Sequence, residues 1–248
     1  MEESVDVERI RGQFPVVEKK VFLNHAGVSP LSKPVFEAMR RYLEEMCGQG
    51  TGSADLGRCR GLFAGLIGAR PGEVALVPNT STGLNIVAGM LDYPPGSSVV
   101  VTDLEFPSVV YPWLRRRPGV EVRYVKNVDG RILLDDVEKA VDDGTVAVAI
   151  SHVEYANGFR NDLGSLAEVA HRHGALLVVD AIQSAGAVRI DVGQDDVDFL
   201  TASCFKWLLG PQGAGFLYVR GDLVERFEPP MVGWASVRPE VFETADLW

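Results

Sequence analysis

The stretch TVAVAISHVEYANGFRNDLGSLAEVAHRHGALLVVD, residues 145–180, decides the fold. It begins with Thr145–Ser151 and ends with Ala175–Asp180, two runs that are apolar on both faces, as strands buried between helical layers are. Between them, Leu163–His173 has apolar residues at helical spacing and stops at Gly174, a residue type that commonly ends helices. A strand, a helix and a second strand in this order predict a parallel pair in an α/β sheet.

The same alternation continues on both sides of this unit. Further strands are predicted at Val74–Pro78, Ser98–Thr102, Val120–Val125, Phe199–Ser203 and Gly215–Val219. Further helices are predicted at Ser32–Cys47, Thr82–Leu91 and Leu134–Val141. We therefore expect a three-layer α/β domain around a mostly parallel sheet of about seven strands. Ligands of such domains bind at the carboxyl ends of the strands.

Composition and charge limit the class of protein. The chain has 248 residues, 46% hydrophobic and 23% charged, as ordinary globular proteins have. Its net charge of −10 argues against binding to nucleic acids or to anionic membranes. No apolar run reaches the roughly 18 residues of a membrane span, and the acidic N-terminus is unlike a signal peptide. Three cysteines without paired spacing predict no metal site, and a cytoplasmic location is expected.

The strongest candidate for chemistry is Lys206, in the stretch TASCFKWLLGPQGAG at 201–215. It follows a predicted strand and lies among aromatic and leucine residues, where loss of hydration lowers the pKa of an amine. A neutral amine is the form that makes a Schiff base with an aldehyde. The alternative is a lysine whose stem covers apolar surface, and for a lone lysine this is the commoner case.

Two further features become informative beside this lysine. Asp180 ends a fully apolar strand one βα-like unit before Lys206, so both are expected at the same edge of the sheet. By itself such an aspartate is more often a cap, but with the lysine it suits a pyridine cofactor whose ring nitrogen must stay protonated. The loop NTSTG at 79–83 offers N–H groups and hydroxyls to a phosphate, or merely caps the following helix.

The ordered set of motifs resembles the class V aminotransferase family of pyridoxal-phosphate enzymes, with the large domain of fold type I. The matching segments are FLNHAGVSPL (22–31), NTSTG (79–83), DLEFPSVVYPW (103–113), SHVEYANGFRNDL (151–163), VDAIQSAG (179–186) and SCFKWLLGPQGAG (203–215). The family includes cysteine desulfurases, selenocysteine lyases, isopenicillin N epimerase-like proteins and kynureninases. The resemblance implies pyridoxal 5′-phosphate as cofactor, an amino acid as substrate, and a homodimer with the site near its interface.

The resemblance also implies a role for each matching residue. Lys206 would form the Schiff base with the cofactor and later move protons, and Asp180 would pair with the ring nitrogen. The other cofactor contacts would be Gln183 and Tyr155 near the ring oxygen, Phe106 on the ring face, and Thr80, Ser81 and Ser203 at the phosphate. Asn24 and His25 would face the substrate.

The chain departs from the desulfurase pattern at three positions. Phe106 and Phe205 stand where many desulfurases have histidines, and Tyr155 stands where an asparagine is usual. These changes resemble the epimerase-like and kynureninase-like branches more closely. Cys204 lies beside the lysine on the side of the sheet, and we expect it to be packed in the core.

The length of the chain suggests that the family's C-terminal small domain is missing. That domain supplies the arginine that grips the substrate carboxylate and, in desulfurases, the nucleophilic cysteine. The expected division is an N-terminal segment on the substrate side (1–30), a cofactor-binding domain (31–228) and the start of a connection (229–248). Two functions stay open: an active aminotransferase or desulfurase-like lyase, and a truncated domain that binds the cofactor without turnover.

Overall fold

A computed structural model describes residues 5–116, 119–233 and 236 of the chain. These residues contain one sheet with the strands β1 (Val74–Val77), β2 (Ser98–Thr102), β3 (Glu121–Val125), β4 (Thr145–Ser151), β5 (Leu176–Asp180), β6 (Phe199–Ser203) and β7 (Gly215–Val219). The strand order is β1-β7-β6-β5-β4-β2-β3. Strand β7 runs antiparallel to both neighbours, whereas β2 to β6 pair in parallel. The predicted strands, and the mostly parallel sheet of seven strands, are confirmed.

Helices connect the strands and cover both faces of the sheet. In the described residues they are α1 (Val7–Arg11), α2 (Lys33–Gln49), α3 (Leu56–Ile67), α4 (Thr80–Met90), α5 (Pro107–Arg116), α6 (Leu134–Ala140), α7 (Leu163–Arg172) and α8 (Gly221–Arg226). Short 3₁₀ turns lie at Pro15–Glu18 and Pro71–Glu73. The four predicted helices are present. The sequence pattern does not single out α3, because Gly57, Gly61 and Gly65 lower its helix propensity.

The sheet separates two apolar clusters, which makes the domain three-layered. Neighbouring residues of β5 enter different clusters: Leu177 packs in one and Val178 in the other. The first cluster lies under α3, α6 and α7, and the second lies under α4, α5 and α8. A strand buried on both faces needs apolar residues at every position, which is why its sequence does not alternate.

Helix α2 has the predicted apolar residues but does not bury them against the described part of the chain. Its stripe includes Met39, Leu43 and Met46, and Leu43 is 60% exposed. An amphipathic helix gains most of its stability from packing its apolar face. None of the helices in the described residues is long and apolar enough to cross a membrane.

Candidate functional site

A cavity of about 850 Å³ opens at the carboxyl edge of the sheet. Nine of the ten residues predicted for the site line it, namely Asn24, Thr80, Ser81, Phe106, Tyr155, Asp180, Gln183, Ser203 and Lys206. They come from segments spread over most of the chain. The parallel strands bring them together, because the carboxyl ends of parallel strands share one edge of the sheet.

Asp180 and Lys206 are the two charged groups on the floor of this cavity. Asp180 is the last residue of β5, is 2% exposed and accepts a hydrogen bond from the N–H of Ile182 (2.8 Å). Burial raises the pKa of Asp180 to about 6, against the opposing effects of the Ile182 N–H group and of Lys206. Burial also lowers the pKa of Lys206, and the charge of Asp180 opposes this shift. The lysine therefore becomes neutral more readily than an exposed lysine does.

The turn that carries Lys206 follows β6 and is held by backbone contacts. The N–H of Gly210 donates to the carbonyl of Cys204 (2.8 Å), and Leu209 adopts a positive φ of 58°. A left-handed conformation at a leucine costs free energy, and such strain is common at functional sites. Gly186 packs against this turn, where a Cβ atom would lie 2.5 Å from the carbonyl oxygen of Trp207. Only glycine permits that close approach.

Aromatic rings enclose the amine of Lys206. Its Nζ atom lies 5.9 Å from the ring centroid of Phe106 and 6.0 Å from that of Phe205. Phe106 in turn meets Tyr155 edge to face, with centroids 5.2 Å apart. Phe106 and Tyr155, which we call the aromatic pair, are 44% and 47% exposed and form a wall of the cavity.

The opposite end of the cavity is the N-terminus of α4. Asn79 caps this helix, since its Oδ1 atom accepts from the N–H of Thr82 (2.8 Å). The hydroxyl of Ser203 accepts from the N–H of Thr80 and is 2.8 Å from the Thr80 hydroxyl. Ser81 is exposed beside them, and its hydroxyl is hydrogen-bonded to Ser108 (2.7 Å). Hydroxyls at the positive end of a helix dipole form a site suited to an anion.

The N-terminal segment closes the cavity from one side. The N–H of Ser29 donates to the carbonyl of Phe205 (2.8 Å), and the Gln183 amide donates to the carbonyl of Ala26 (2.9 Å). Gln183 also accepts from the indole N–H of Trp207 (2.8 Å). Its amide thus ties the segment to the lysine turn, and its contact with a ring oxygen stays a prediction.

His25 is the predicted site residue that the structure places elsewhere. Its ring stacks on Trp207 with centroids 5.5 Å apart, and it is not among the residues that line the cavity. It is held there because Phe22 also contacts it edge to face at 5.3 Å. In this position His25 supports Trp207, while Asn24 is the member of the pair that reaches the cavity.

Two buried carboxyl groups near the cavity, Glu105 and Glu154, were not predicted from the sequence. Glu105 accepts from both the N–H (2.7 Å) and the hydroxyl (2.6 Å) of Ser151, the last residue of β4. Glu154 accepts from the amide of Asn161 (3.0 Å). Burial raises the pKa of Glu154 to about 7 and that of Glu105 well above its usual range. The available signal was their position, just after a strand and directly before an aromatic residue that lines the cavity.

Cys204 is packed as expected and is unsuited to act as a nucleophile. It lies against the core cluster under α3, α6 and α7, and burial raises its pKa to about 11. A thiol reacts as its thiolate, which is scarce at neutral pH when the pKa is so high.

Comparison with known proteins gives a family for this arrangement. The family model described as "Aminotransferase class-V" matches residues 21–245. An uncharacterized aminotransferase of Bacillus subtilis, YcbU, is 37% identical over 231 residues, which cover 92% of this chain and 62% of the relative. A probable cysteine desulfurase of Methanothermobacter thermautotrophicus is 38% identical and is covered over 60% of its length. The chain thus spans about three fifths of these relatives.

Solved structures show the same fold. The cysteine desulfurase of Thermococcus onnurineus superposes with a TM-score of 0.86 at 32% identity, over 96% of this chain and 63% of that one. C-DES, solved with glycine covalently linked to its PLP cofactor, has a TM-score of 0.82 at 25% identity, over 92% and 64%. The predicted α/β fold of the fold type I large domain is confirmed. The chain therefore belongs to the class V aminotransferase family.

Proposed function

We propose that this chain is the cofactor-binding part of an enzyme that holds pyridoxal 5′-phosphate on Lys206 and acts on an amino acid. The observation that carries the proposal is the presence of Asp180 and Lys206 in one cavity that ends at the N-terminus of α4. An acid, an amine of lowered pKa and an anion site are the three groups that a phosphorylated pyridine aldehyde requires.

The residues that line the cavity fit pyridoxal 5′-phosphate. Asp180 is suited to bind the ring nitrogen of the cofactor. Its carboxyl group is buried away from water and can therefore share a proton with the pyridine nitrogen. The hydroxyls of Thr80 and Ser203 and the first turn of α4 would hold the phosphate. Phe106 would lie on the ring face. When bound, the cofactor supplies an electron sink for negative charge that develops at the α-carbon of a substrate.

Lys206 would move protons, and other residues that line the cavity would exclude water and contact the substrate. Once the amino group of the substrate has displaced Lys206 from the cofactor aldehyde, the freed Lys206 amine would take a proton from the α-carbon of the substrate and return it to the same or a neighbouring atom. The aromatic pair excludes water from one side of the reacting atoms, which strengthens electrostatic interactions there. Asn24 reaches the cavity from the N-terminal segment and would contact the substrate.

The relatives include proteins named aminotransferase and proteins named cysteine desulfurase, so both reactions are candidates. Within the described residues, Lys206 is the only cationic side chain that lines the cavity. We therefore propose that the group that binds the substrate carboxylate lies outside the described residues. A homodimer, a cytoplasmic location and the division into 1–30, 31–228 and 229–248 belong to the same proposal.

A second candidate is a domain that binds the cofactor without turnover. It is favoured by one observation: among the described residues, Lys206 is the only cationic side chain that lines the cavity and could bind a substrate carboxylate.

Covalent mapping tests the proposal. The chain is mixed with pyridoxal 5′-phosphate, its visible absorbance is recorded, and it is reduced with borohydride and digested. We expect the label on the peptide that contains Lys206, and no label in Lys206→Ala. Lys126→Ala is the matched control, since the side chain of Lys126 is 77% exposed and lies away from the cavity. A colourless protein, or a label on another lysine, would contradict the proposal.

Product analysis separates the two candidates. Release of alanine from cysteine, with its sulfur recovered as sulfide in the presence of an added dithiol reductant, indicates a desulfurase-like lyase. A keto acid formed from an amino donor indicates an aminotransferase. A protein labelled on Lys206 that turns over no amino acid is the cofactor-binding domain alone.

A further inference from the structure

Two buried glutamates stand directly before the two members of the aromatic pair. Glu105 precedes Phe106, and Glu154 precedes Tyr155. They are 8% and 1% exposed, whereas the rings that follow them open into the cavity. In both dipeptides, therefore, a buried side chain is followed directly by one that faces the cavity.

Glu105 contacts Ser151 directly, and Glu154 is connected to Ser151 through Asn161. Glu105 accepts the N–H and the hydroxyl of Ser151 at 2.7 and 2.6 Å. The amide of Asn161 donates to the carbonyl of Ser151 (2.9 Å) and to Glu154 (3.0 Å). Ser151 is the register neighbour of Asp180 on the adjacent strand. The backbone that carries the aromatic pair is therefore anchored beside the acid that we assign to the cofactor ring.

The charged groups around these glutamates increase the free-energy cost of burying them as carboxylates. Asp180 and Asp103 face them with the same sign of charge, and the two glutamates also act on each other. The nearby cations are engaged elsewhere: Lys126 is 3.6 Å from Asp103, Arg160 donates to His152 (3.1 Å), and Lys206 acts on Asp180. Within the described residues, neither glutamate forms an ion pair.

The geometry of Glu154 favours a neutral carboxyl group. Its Oε2 atom is buried and has no hydrogen-bond partner in the described structure. A buried anionic oxygen without a donor costs far more free energy than the same oxygen in a protonated acid. A metal ion is not an alternative counter-charge, because the described residues contain no group of three or more ligating side chains placed to hold one.

We propose that Glu105 and Glu154 together hold at least one proton at neutral pH and act as a positioning pair that fixes Phe106 and Tyr155 against the end of β4. This bound proton also limits the negative charge next to Asp180. The inference rests on the proposed function in one respect, namely that the aromatic pair faces pyridoxal 5′-phosphate.

The directions of the pKa shifts agree with this proposal. Burial raises the pKa of both glutamates, and their mutual repulsion makes them titrate as a unit. The two donors from Ser151 oppose the rise in the pKa of Glu105 but do not outweigh its burial.

Infrared spectroscopy at pH 7 tests the proton directly and needs no cofactor. We expect the carbonyl stretch of a protonated carboxyl group in the wild type and a loss of intensity in Glu154→Gln or Glu105→Gln. Glu168→Gln, on the exposed face of α7, is the matched control and should keep the band. If neither variant changes the band, a proton held by these two glutamates is disproved. Either variant suffices if the other fails to fold.

Cofactor affinity tests the positioning role. Glu154→Gln keeps the length and the neutral form, so we expect its Kd for pyridoxal 5′-phosphate within about twofold of the wild type. Glu154→Asp stays an acid but loses reach to Asn161, so we expect affinity to fall by about tenfold as the wall shifts. Tight binding by Glu154→Asp together with weak binding by Glu154→Gln would overturn the proposal. If the wild type itself does not bind the cofactor, the proposed function fails while the infrared result still stands.

Discussion

Asp180 and Asp198 are aspartates of neighbouring strands that are buried alike but lie at opposite edges of the sheet. Asp180 ends β5, and Asp198 directly precedes β6. Asp198 accepts from the N–H of Leu177 and from His171, both at 2.7 Å, and pairs with Arg220 at 2.7 Å. The carboxyl group of Asp180 has one hydrogen bond from the described residues, the one donated by the N–H of Ile182.

The difference distinguishes a carboxylate that stabilises the fold from one that is kept for a ligand. A carboxylate has about four sites for donors, and Asp198 uses one oxygen for two hydrogen bonds and the other for an ion pair within its own protein. Asp180 leaves room at the floor of a large cavity and faces Lys206 there. Burial alone therefore does not mark a functional acid, but burial with few partners beside a cavity does.

Removing the charge of Asp180 should give the largest effect on chemistry and little loss of stability. In Asp180→Asn, we expect exchange of the α-hydrogen of a bound amino acid with D₂O to slow by about 10²–10³-fold, the usual loss for one electrostatic contact to a reacting centre. The reason is that the pyridine nitrogen loses the carboxyl group that keeps it protonated. Exchange is followed by NMR with the cofactor-loaded protein. Asp143→Asn, at an exposed position, should exchange as the wild type does. Equal rates in both variants would remove Asp180 from the site.

Removing Asp198 should have the opposite result. We expect Asp198→Ala to lower the free energy of unfolding by about 2–4 kcal/mol. The substitution removes a buried carboxylate and leaves its two partners, His171 and Arg220, which are partly exposed, without their counter-charge. Urea unfolding measures this loss. Affinity for pyridoxal 5′-phosphate should stay unchanged wherever the protein is folded. A variant that unfolds like the wild type would show that the network does not stabilise the protein.

The pH dependence of stability should also separate the two acids. The folded pKa of Asp180 is raised to about 6, above its ordinary value, so the folded state binds the proton more tightly. Stability from this group is present at about pH 4 and is lost as pH rises to about 6, by about 2 kcal/mol. Asp180→Asn should lack that part of the decline, measured without cofactor by urea unfolding at several pH values. Parallel curves for the two proteins would contradict the raised pKa.

The smallest effect is expected at the phosphate end. Ser203→Ala removes an acceptor for the N–H of Thr80, and we expect a loss of about 1 kcal/mol in stability and a cofactor Kd raised about tenfold. Ser165→Ala, at the start of α7, is the matched control. It should lose a similar or smaller stability with no change in Kd, as measured by thermal unfolding and absorbance titration. A Kd that is unchanged in both variants would exclude Ser203 from phosphate binding.

Much of the fold was predictable because its signals are local. The runs Thr145–Ser151 and Leu176–Asp180 show from their own residues that both faces are buried. Helix α7 shows its buried stripe in the spacing of Leu163, Leu166 and Ala170. The order of strands and helices then places Asp180 and Lys206 at one edge. Helix α3 was not predicted, because its glycines lower its helix propensity. Its burial against the sheet stabilises it, and no local pattern shows that burial.

The details of the site were less predictable because its contacts join residues that are distant in the chain. Ser203 meets Thr80 across 123 positions, and Glu105 meets Ser151 across 46. His25 and Asn24 are adjacent in sequence, yet one stacks on Trp207 and the other lines the cavity. No local pattern specifies such a difference, since it depends on the direction of the backbone between two packed elements.

The sequence by itself determined the layers, the direction of most strands and the edge at which chemistry takes place, because apolar spacing and turn residues act within a few positions. Only the tertiary structure decided which acids are satisfied and which are kept for a ligand. Asp180 and Asp198 are the same residue type beside the same kind of strand. They differ because the pKa and the role of a buried carboxyl group depend on the donors that folding brings to it.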